Sequence, residues 1–430
     1  MRLIQRLFTP HSPYINKANF IYMHVESIGI GMANALSPFL GVLLTRLEAT
    51  AFQISLLTSM PALAGLFLVI PLGQVLQSQK NIIRWYSISR IIYVSAFTLT
   101  GICVLVLPPS LRVPLILLVW LLVTLPQIIL NITFQITMNG IAGPGGRYEL
   151  MSRRWIIMGA ATALLSFWVG QILDRTQFPT NYGAVFIFLS IIGGFLAYNF
   201  SRLFKIDYHE KPKTDHVSSI RIVIQDTITH LKNNRTFSSF IFKRFMINFG
   251  ALLISPLFSI YFVREIHASD SWIAIFNTTS TATTVVGYFF WMQSSRKGTG
   301  RILLWTTFGT SLYPLLTAIT HQEWLIAIYA GINGLFAAGL NLVFFDELLK
   351  TIPSDLIAMY VAISQGFTYF TSIIAPITGS FISDYIGVGP TLLIGGSIQF
   401  FGFLLFLFEK RKTKSIHPKT APESDHICIH

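Results

Sequence analysis

A short pattern occurs twice in this chain. Ser37-Pro38 is followed by Arg46, and 218 residues further on Ser255-Pro256 is followed by Arg264 at the same spacing. The same offset lays Gln77-Ser78-Gln79-Lys80 on Ser295-Arg296-Lys297-Gly298, so the register holds without a gap across two predicted helices. The halves also match near their ends. Gly170-Gln-Ile-Leu-Asp174 answers Gly379-Ser-Phe-Ile-Ser-Asp384 at an offset of 209 to 210 residues, which places a loss of residues in the loops of the second half. A chain built from two halves in the same order points to paired units with a site between them.

The units are expected to be bundles of membrane helices. Hydrophobic residues make up 53% of the chain and charged residues 11%, where a soluble domain carries about 25% charged residues. Mean hydropathy is +0.61. Apolar stretches of about 20 residues, long enough to cross a bilayer as helices, are predicted at 20–44, 54–76, 85–107, 113–138, 155–173, 182–204, 238–262, 272–292, 302–319, 324–345, 357–382 and 390–408. Twelve crossings in two sets of six start both halves on the same side, a parallel repeat and not an inverted one. The fold class is therefore an all-α membrane protein of two parallel six-helix bundles. The expected units are 1–204, a central loop 205–236, 237–409 and a tail 410–430.

Basic residues orient the chain. The outward loops of this topology hold only Arg46, Arg112, Arg175 and Arg264, and the other 27 of the 31 Lys and Arg lie in inward loops, tails or inner helix ends. Positive charge collects on the cytoplasmic side, so both termini are expected there, in the plasma (cell inner) membrane. The net charge of +13 faces anionic lipid headgroups and calls for no nucleic acid. Residues 1–17 lack the continuous apolar core of a cleavable signal and are expected to form at most a short interfacial segment. Ile220, Val223, Ile224 and Ile228 fall near helical spacing in the central loop and predict an amphipathic surface helix, with a solvated linker as the alternative. Cys103 and Cys428 are expected to form no disulfide and no metal site.

The six-plus-six pattern resembles the major facilitator superfamily over nearly the whole length. That family keeps a signature in the loop after its second helix: a Gly, an Asp four residues on, then Gly-Arg-Lys/Arg. Here the loop reads Gly73-Gln-Val-Leu-Gln77-Ser-Gln-Lys80-Asn-Ile-Ile-Arg84. The glycine and basic charge are kept, and Gln77 replaces the acid. Gly73, Lys80 and Arg84 are thus the expected gating-loop residues. Ala375-Pro376 followed by Gly379 partly echoes the Gly-Pro pair that many antiporters carry in helix five. The resemblance implies a usually monomeric secondary transporter working by alternating access. It also implies that helices one, four, seven and ten line the cavity, and family base rates favour efflux over uptake.

Ionisable groups at membrane depth are expensive and point to function. Glu26 lies in the first helix among apolar neighbours and is the expected proton-coupling carboxylate, with pairing to a nearby cation as the structural alternative. The offset of 218 carries Glu26 onto Arg244. A Glu26–Arg244 pair that makes and breaks during transport is the sharper expectation. The plainer one, which the sequence favours, has Lys243 and Arg244 reaching inner headgroups. Gln127, Asn131 and Gln135 run along one stripe of helix four, and Asn333 and Asn341 lie in helix ten. With Asn248 in helix seven and Tyr22 in helix one they form the expected substrate lining. Amides offer both donors and acceptors to a neutral polar solute, or else bond between helices. Asp346 and Glu347 could stand in for the missing gate acid, although a solvated helix end explains them as well.

Nothing in the sequence resembles a nucleotide-binding loop, a hydrolytic triad or a metal cluster. The expectation is a non-enzymatic, proton-coupled transporter without cofactor, moving a small molecule among membrane lipids. Two alternatives stay open. Gly29-Ile-Gly31 could unwind for sodium in an inverted-repeat transporter, and the weak loop signatures leave room for a membrane sensor or lipid scramblase on the same fold.

Overall fold

The computed structural model describes residues 16–77, 79–206, 234–295, 299–351 and 357–416. Among them every regular element is helical. The first half holds α1 (Lys17–Arg46), α2 (Ala51–Gln77), α3 (Ile82–Val106), α4 (Pro109–Arg175) and α5 (Thr180–Ser201). The second half begins with α6 (Arg235–Ile254), continued by the short α7 (Leu257–Ile260) and a π turn over Tyr261–Glu265. It goes on through α8 (Asp270–Ser295), α9 (Thr299–Ala318), α10 (Glu323–Lys350), α11 (Ile357–Ile386) and α12 (Val388–Ile416). The amphipathic helix expected around Ile220–Ile228 and the interfacial segment expected before Asn16 lie outside the described residues.

The predicted spans hold to within a few residues, with two exceptions. The fourth and fifth helices are one continuous helical assignment, α4, with two apolar arms at Pro109–Ala142 and Leu150–Arg175. Val113 of one arm and Leu173 of the other share a buried cluster, so the arms run antiparallel. The other exception is α12, which runs to Ile416 and past the expected start of the tail. Nine described segments are long and apolar enough to cross a bilayer by themselves. The more polar α8 carries Asn277-Thr278-Thr279-Ser280-Thr281, of which Thr278 donates to Ala163 O of α4 and Thr279 to Ile275 O in its own turn.

The duplication is built into the caps. Asn16 accepts from the Ala18 N–H at the start of α1, and Asn234 accepts from the Phe237 N–H at the start of α6. These two N-caps are also 218 residues apart, and each satisfies an orphan donor of its first turn. Close glycine crossings recur too. A Cβ on Gly29 of α1 would meet Gly193 O of α5 at 2.5 Å, and one on Gly250 of α6 would meet Gly395 O of α12 at 2.5 Å. The first and last helices of each half thus touch backbone to backbone, the close approach that small residues allow in membranes.

The packing is uneven along the membrane normal. We call the face where α1 starts and α12 ends the termini face, and the opposite one, carrying the α1–α2, α3–α4, α4–α5, α8, α9–α10 and α11–α12 connections, the far face. One buried cluster at the far face contains residues of both halves, including Leu43, Ile54, Leu173, Tyr182, Leu257 and Phe276. Toward the termini face the core divides. Phe20, Tyr86 and Leu150 belong to a cluster of the first half, and Phe237, Trp291 and Phe344 to one of the second. The halves are fused at the far face and hold separate cores at the other.

Candidate functional site

A cavity of about 720 Å³ lies between the halves. The repeated Ser-Pro pairs both border it: Ser37 and Pro38 from α1, Ser255 and Pro256 from the α6–α7 junction. Both serines are exposed. Pro38 sits inside α1 and Pro256 precedes α7, so each half places its proline, with no N–H to donate, at the same height beside the cavity. Amides reach the wall from four helices: Asn34 (α1), Gln127 (α4), Asn277 (α8) and Asn333 (α10). Hydroxyls come from Thr58, Thr162, Ser259, Ser280 and Thr281. Rings complete it, with Tyr93 edge-on to Trp120 and Phe258 stacked on Tyr313 with centroids 5.1 Å apart. No carboxylate, amine, guanidinium, imidazole or thiol is among the described lining residues. Such a wall binds by hydrogen bonds and ring contact, not by charge.

Of the seven residues expected to bind solute, Gln127 and Asn333 border this cavity. Tyr22 packs near Phe200 and against the termini-face cluster of the first half. Asn248 is half-buried on α6, and Asn131, Gln135 and Asn341 are exposed away from the lining. In the expected gating loop, a Cβ on Gly73 would meet nothing within 4 Å, and Lys80 and Arg84 are exposed. Asp346 and Glu347 both contact Lys350 one turn on, at 2.7 and 2.9 Å.

Glu26 is fully buried, toward the termini face from the cavity. Tyr86 Oη donates to its Oε1 at 2.5 Å, Arg90 Nη2 lies 3.2 Å from the same oxygen, and Arg154 Nη2 donates to Oε2 at 3.4 Å. Arg90 also donates to Tyr86 Oη at 2.7 Å. One carboxylate thus ties α1 to α3 and to the second arm of α4. Arg244 takes a different partner: its Nη1 donates to Ser364 Oγ of α11 at 2.9 Å, and its guanidinium lies over the Phe344 ring. Glu26 and Arg244 are therefore each engaged within their own half. Lys243 is buried over the Phe406 ring, so it does not extend to headgroups here. Sequence reasoning passed over Arg90 and Arg154. The signal was present for Arg90, an arginine one turn after Tyr86 inside a predicted span.

The far mouth carries the polar contacts between halves. Arg46 donates from Nε and Nη2 to Asp270 Oδ1 at 3.2 and 2.9 Å, and Tyr182 Oη donates to the same oxygen at 2.6 Å. Asp174, last but one in α4, accepts from the Asp270 and Ser271 N–H groups at 2.8 and 2.9 Å and caps α8 from the opposite half. Arg264 Nη2 donates to Thr45 O and Ala49 O at the end of α1. Nearer the middle, Ser59 donates to Ile373 O and Thr278 to Ala163 O.

The described helices form two like bundles with a central cavity between them, and polar contacts join the halves on its far side. The family model of the Major Facilitator Superfamily matches residues 240–427. Solved structures extend the likeness to more than nine tenths of the chain. A mutant of the nucleoside transporter NupG aligns with a TM-score of 0.67 at 15% identity, covering 91% of this chain and 99% of its own. A bacterial homolog to the human lysosomal transporter Spinster, in an inward-facing and unoccupied conformation, aligns at 0.66 and 12% identity over 95% and 100%. A bacterial metal transporter aligns at 0.62 and 12% over 91% and 97%. No curated protein sequence matches the chain. The resemblance to the major facilitator superfamily, and the twelve-helix fold it implies, are thereby shown; at these identities the solved structures speak to fold alone.

Proposed function

We propose that this protein is a secondary transporter for a small uncharged solute, moved by alternating access as residues 1–204 rock against 237–409. The observation that carries the reading is the cavity wall: amides, hydroxyls and rings from both halves, with no ionised group among the described lining residues. Its volume suits a ligand of ordinary metabolite or drug size. Nucleosides are the first class to try. A base offers a face to Trp120, Tyr93 or Tyr313 and an edge to Asn and Gln, and a sugar offers hydroxyls to Ser and Thr. NupG, one of the structures sharing the fold, is a nucleoside transporter. The wall is a poor donor set for a metal ion, which takes carboxylate, imidazole or thiolate ligands. Nothing in this reading calls for an enzyme.

The proposal extends to a monomer in the plasma membrane with cytoplasmic termini, on the strength of the basic asymmetry of the loops. It includes outward movement of solute and coupling to the proton. Glu26 is the proposed carrier of that proton, and in this conformation its carboxylate is engaged by Tyr86, Arg90 and Arg154.

The test is a thermal-shift screen of the purified protein against neutral and charged solutes, repeated with Gln127→Ala and Asn333→Ala. A neutral solute that stabilises the wild type by mass action, and less so either variant, supports the reading. Stabilisation confined to charged solutes, or indifferent to both variants, would remove it.

A further inference from the structure

We propose that the duplicated arginines, Arg46 and Arg264, are the two bolts of the far-side gate, each holding a helix end of the opposite half. They occupy equivalent places, nine residues after Ser37 and Ser255. Both precede a left-handed non-glycine residue that ends the helix, Glu48 at φ 62° and His267 at φ 57°. That conformation is uncommon outside glycine, and its recurrence shows that both halves keep the same sharp exit. The π turn over Tyr261–Glu265 holds one extra residue per turn. It accounts for the offset growing from 218 at the arginines to 219 at the left-handed residues and at the starts of α2 and α8.

The partners have diverged while the arginines have kept their places. Arg46 reaches the N-terminus of α8, where Asp270 takes its two hydrogen bonds and is 5% exposed. The position in α2 that answers Asp270 is Ala51, so Arg264 has no such acid to meet. It bonds instead to Thr45 O in the last turn of α1, at the negative end of that helix dipole, and to Ala49 O in the α1–α2 link, at 3.2 and 2.9 Å. Its contact with the exposed Glu48 adds little. The first bolt is an ion pair and the second a helix cap. Asp174 and Tyr182 complete the first from α4 and α5. The repeat counterpart of Asp174 is the exposed Asp384 of α11. Separating the halves at this face must break both bolts. At the termini face each half has its own core.

This rests on the alternating-access reading, but its test needs no transported solute. In full-length protein carrying Cys103→Ser, Cys428→Ser and Ser37→Cys, the thiol lines the cavity beneath the gate. Cells or sealed vesicles exposing the far face are treated with a membrane-impermeant maleimide, and Glu48→Cys in a separate chain reports orientation. The expected result is slow labelling with both arginines present. Labelling should become roughly tenfold faster or more in Arg46→Gln/Arg264→Gln, the size that losing one charge-assisted hydrogen bond gives, with each single variant between. Should the double variant not fold, Asp270→Asn and Tyr182→Phe carry the test and should also speed labelling. Labelling at the parent rate in a folded double variant, or in both substitutes, would overturn the proposal. So would fast labelling with the bolts intact. If the gate opens as stated and yet no solute binds, the gate stands and the transport reading falls.

Discussion

Replacing Glu26 by Gln should destabilise the first half sharply. The carboxylate receives Tyr86, Arg90 and Arg154 at 2.5, 3.2 and 3.4 Å. Glutamine keeps the volume and one acceptor but removes the charge. Arg90 and Arg154 are 7% and 3% exposed and would face each other around a neutral group. Breaking a buried ion pair from one side costs about 3–5 kcal/mol. At about 2 °C per kcal/mol for a long chain, the apparent unfolding temperature should fall by about 6–10 °C. The assay is thermal unfolding of purified wild type, Glu26→Gln, Arg154→Gln and the double variant. The double variant removes one uncompensated charge and should recover part of the loss, which a merely steric effect would not do. Unchanged unfolding in Glu26→Gln, or strictly additive losses in the double variant, would refute the claim that this cluster holds α1, α3 and α4 together.

Other consequences follow from the same packing. Gly29→Val should lower the unfolding temperature, since a Cβ there would meet Gly193 O at 2.5 Å and Ala197 N at 2.8 Å and overpacking costs about 1–3 kcal/mol. Gly73→Ala, with nothing within 4 Å of the added Cβ, should leave stability unchanged or slightly raised in the same assay. Tyr182→Phe removes a 2.6 Å hydrogen bond to the Asp270 carboxylate and should lower stability by about 1.5–3 kcal/mol, read by denaturation in detergent. Lys350→Ala breaks contacts that are half exposed and should shift stability by less than about 1 kcal/mol.

Much of the fold was legible because membrane helices announce themselves by length and hydropathy, and because the repeat set the register of the halves. The Ser-Pro pairs, singled out by spacing alone, prove to border the cavity on both sides. The two spans predicted at 113–138 and 155–173 are the two apolar arms of α4, Pro109–Ala142 and Leu150–Arg175. The Glu26–Arg244 pair was inferred from symmetry, yet symmetry fixes where a residue sits in its half and not which neighbour its side chain takes. Arg90 and Arg154 are closer, on α3 and α4. The amides of α4 divided for a geometric reason. A helix turns about 100° per residue, so residues four apart drift around it, and only Gln127 of that stripe stays at the cavity. The cross-half contacts of Asp174 and Tyr182 carried no sequence signal, since they depend on how the bundles dock.

Uptake into vesicles reconstituted with the purified protein tests the central claim most directly. A panel of labelled neutral nucleosides and sugars would be compared between wild type and Ser255→Trp, which fills the cavity between the halves. The account predicts that at least one neutral solute crosses faster than into protein-free vesicles and that the filled variant falls to the protein-free rate. Passage of charged solutes only, or equal passage through the filled variant, would contradict it.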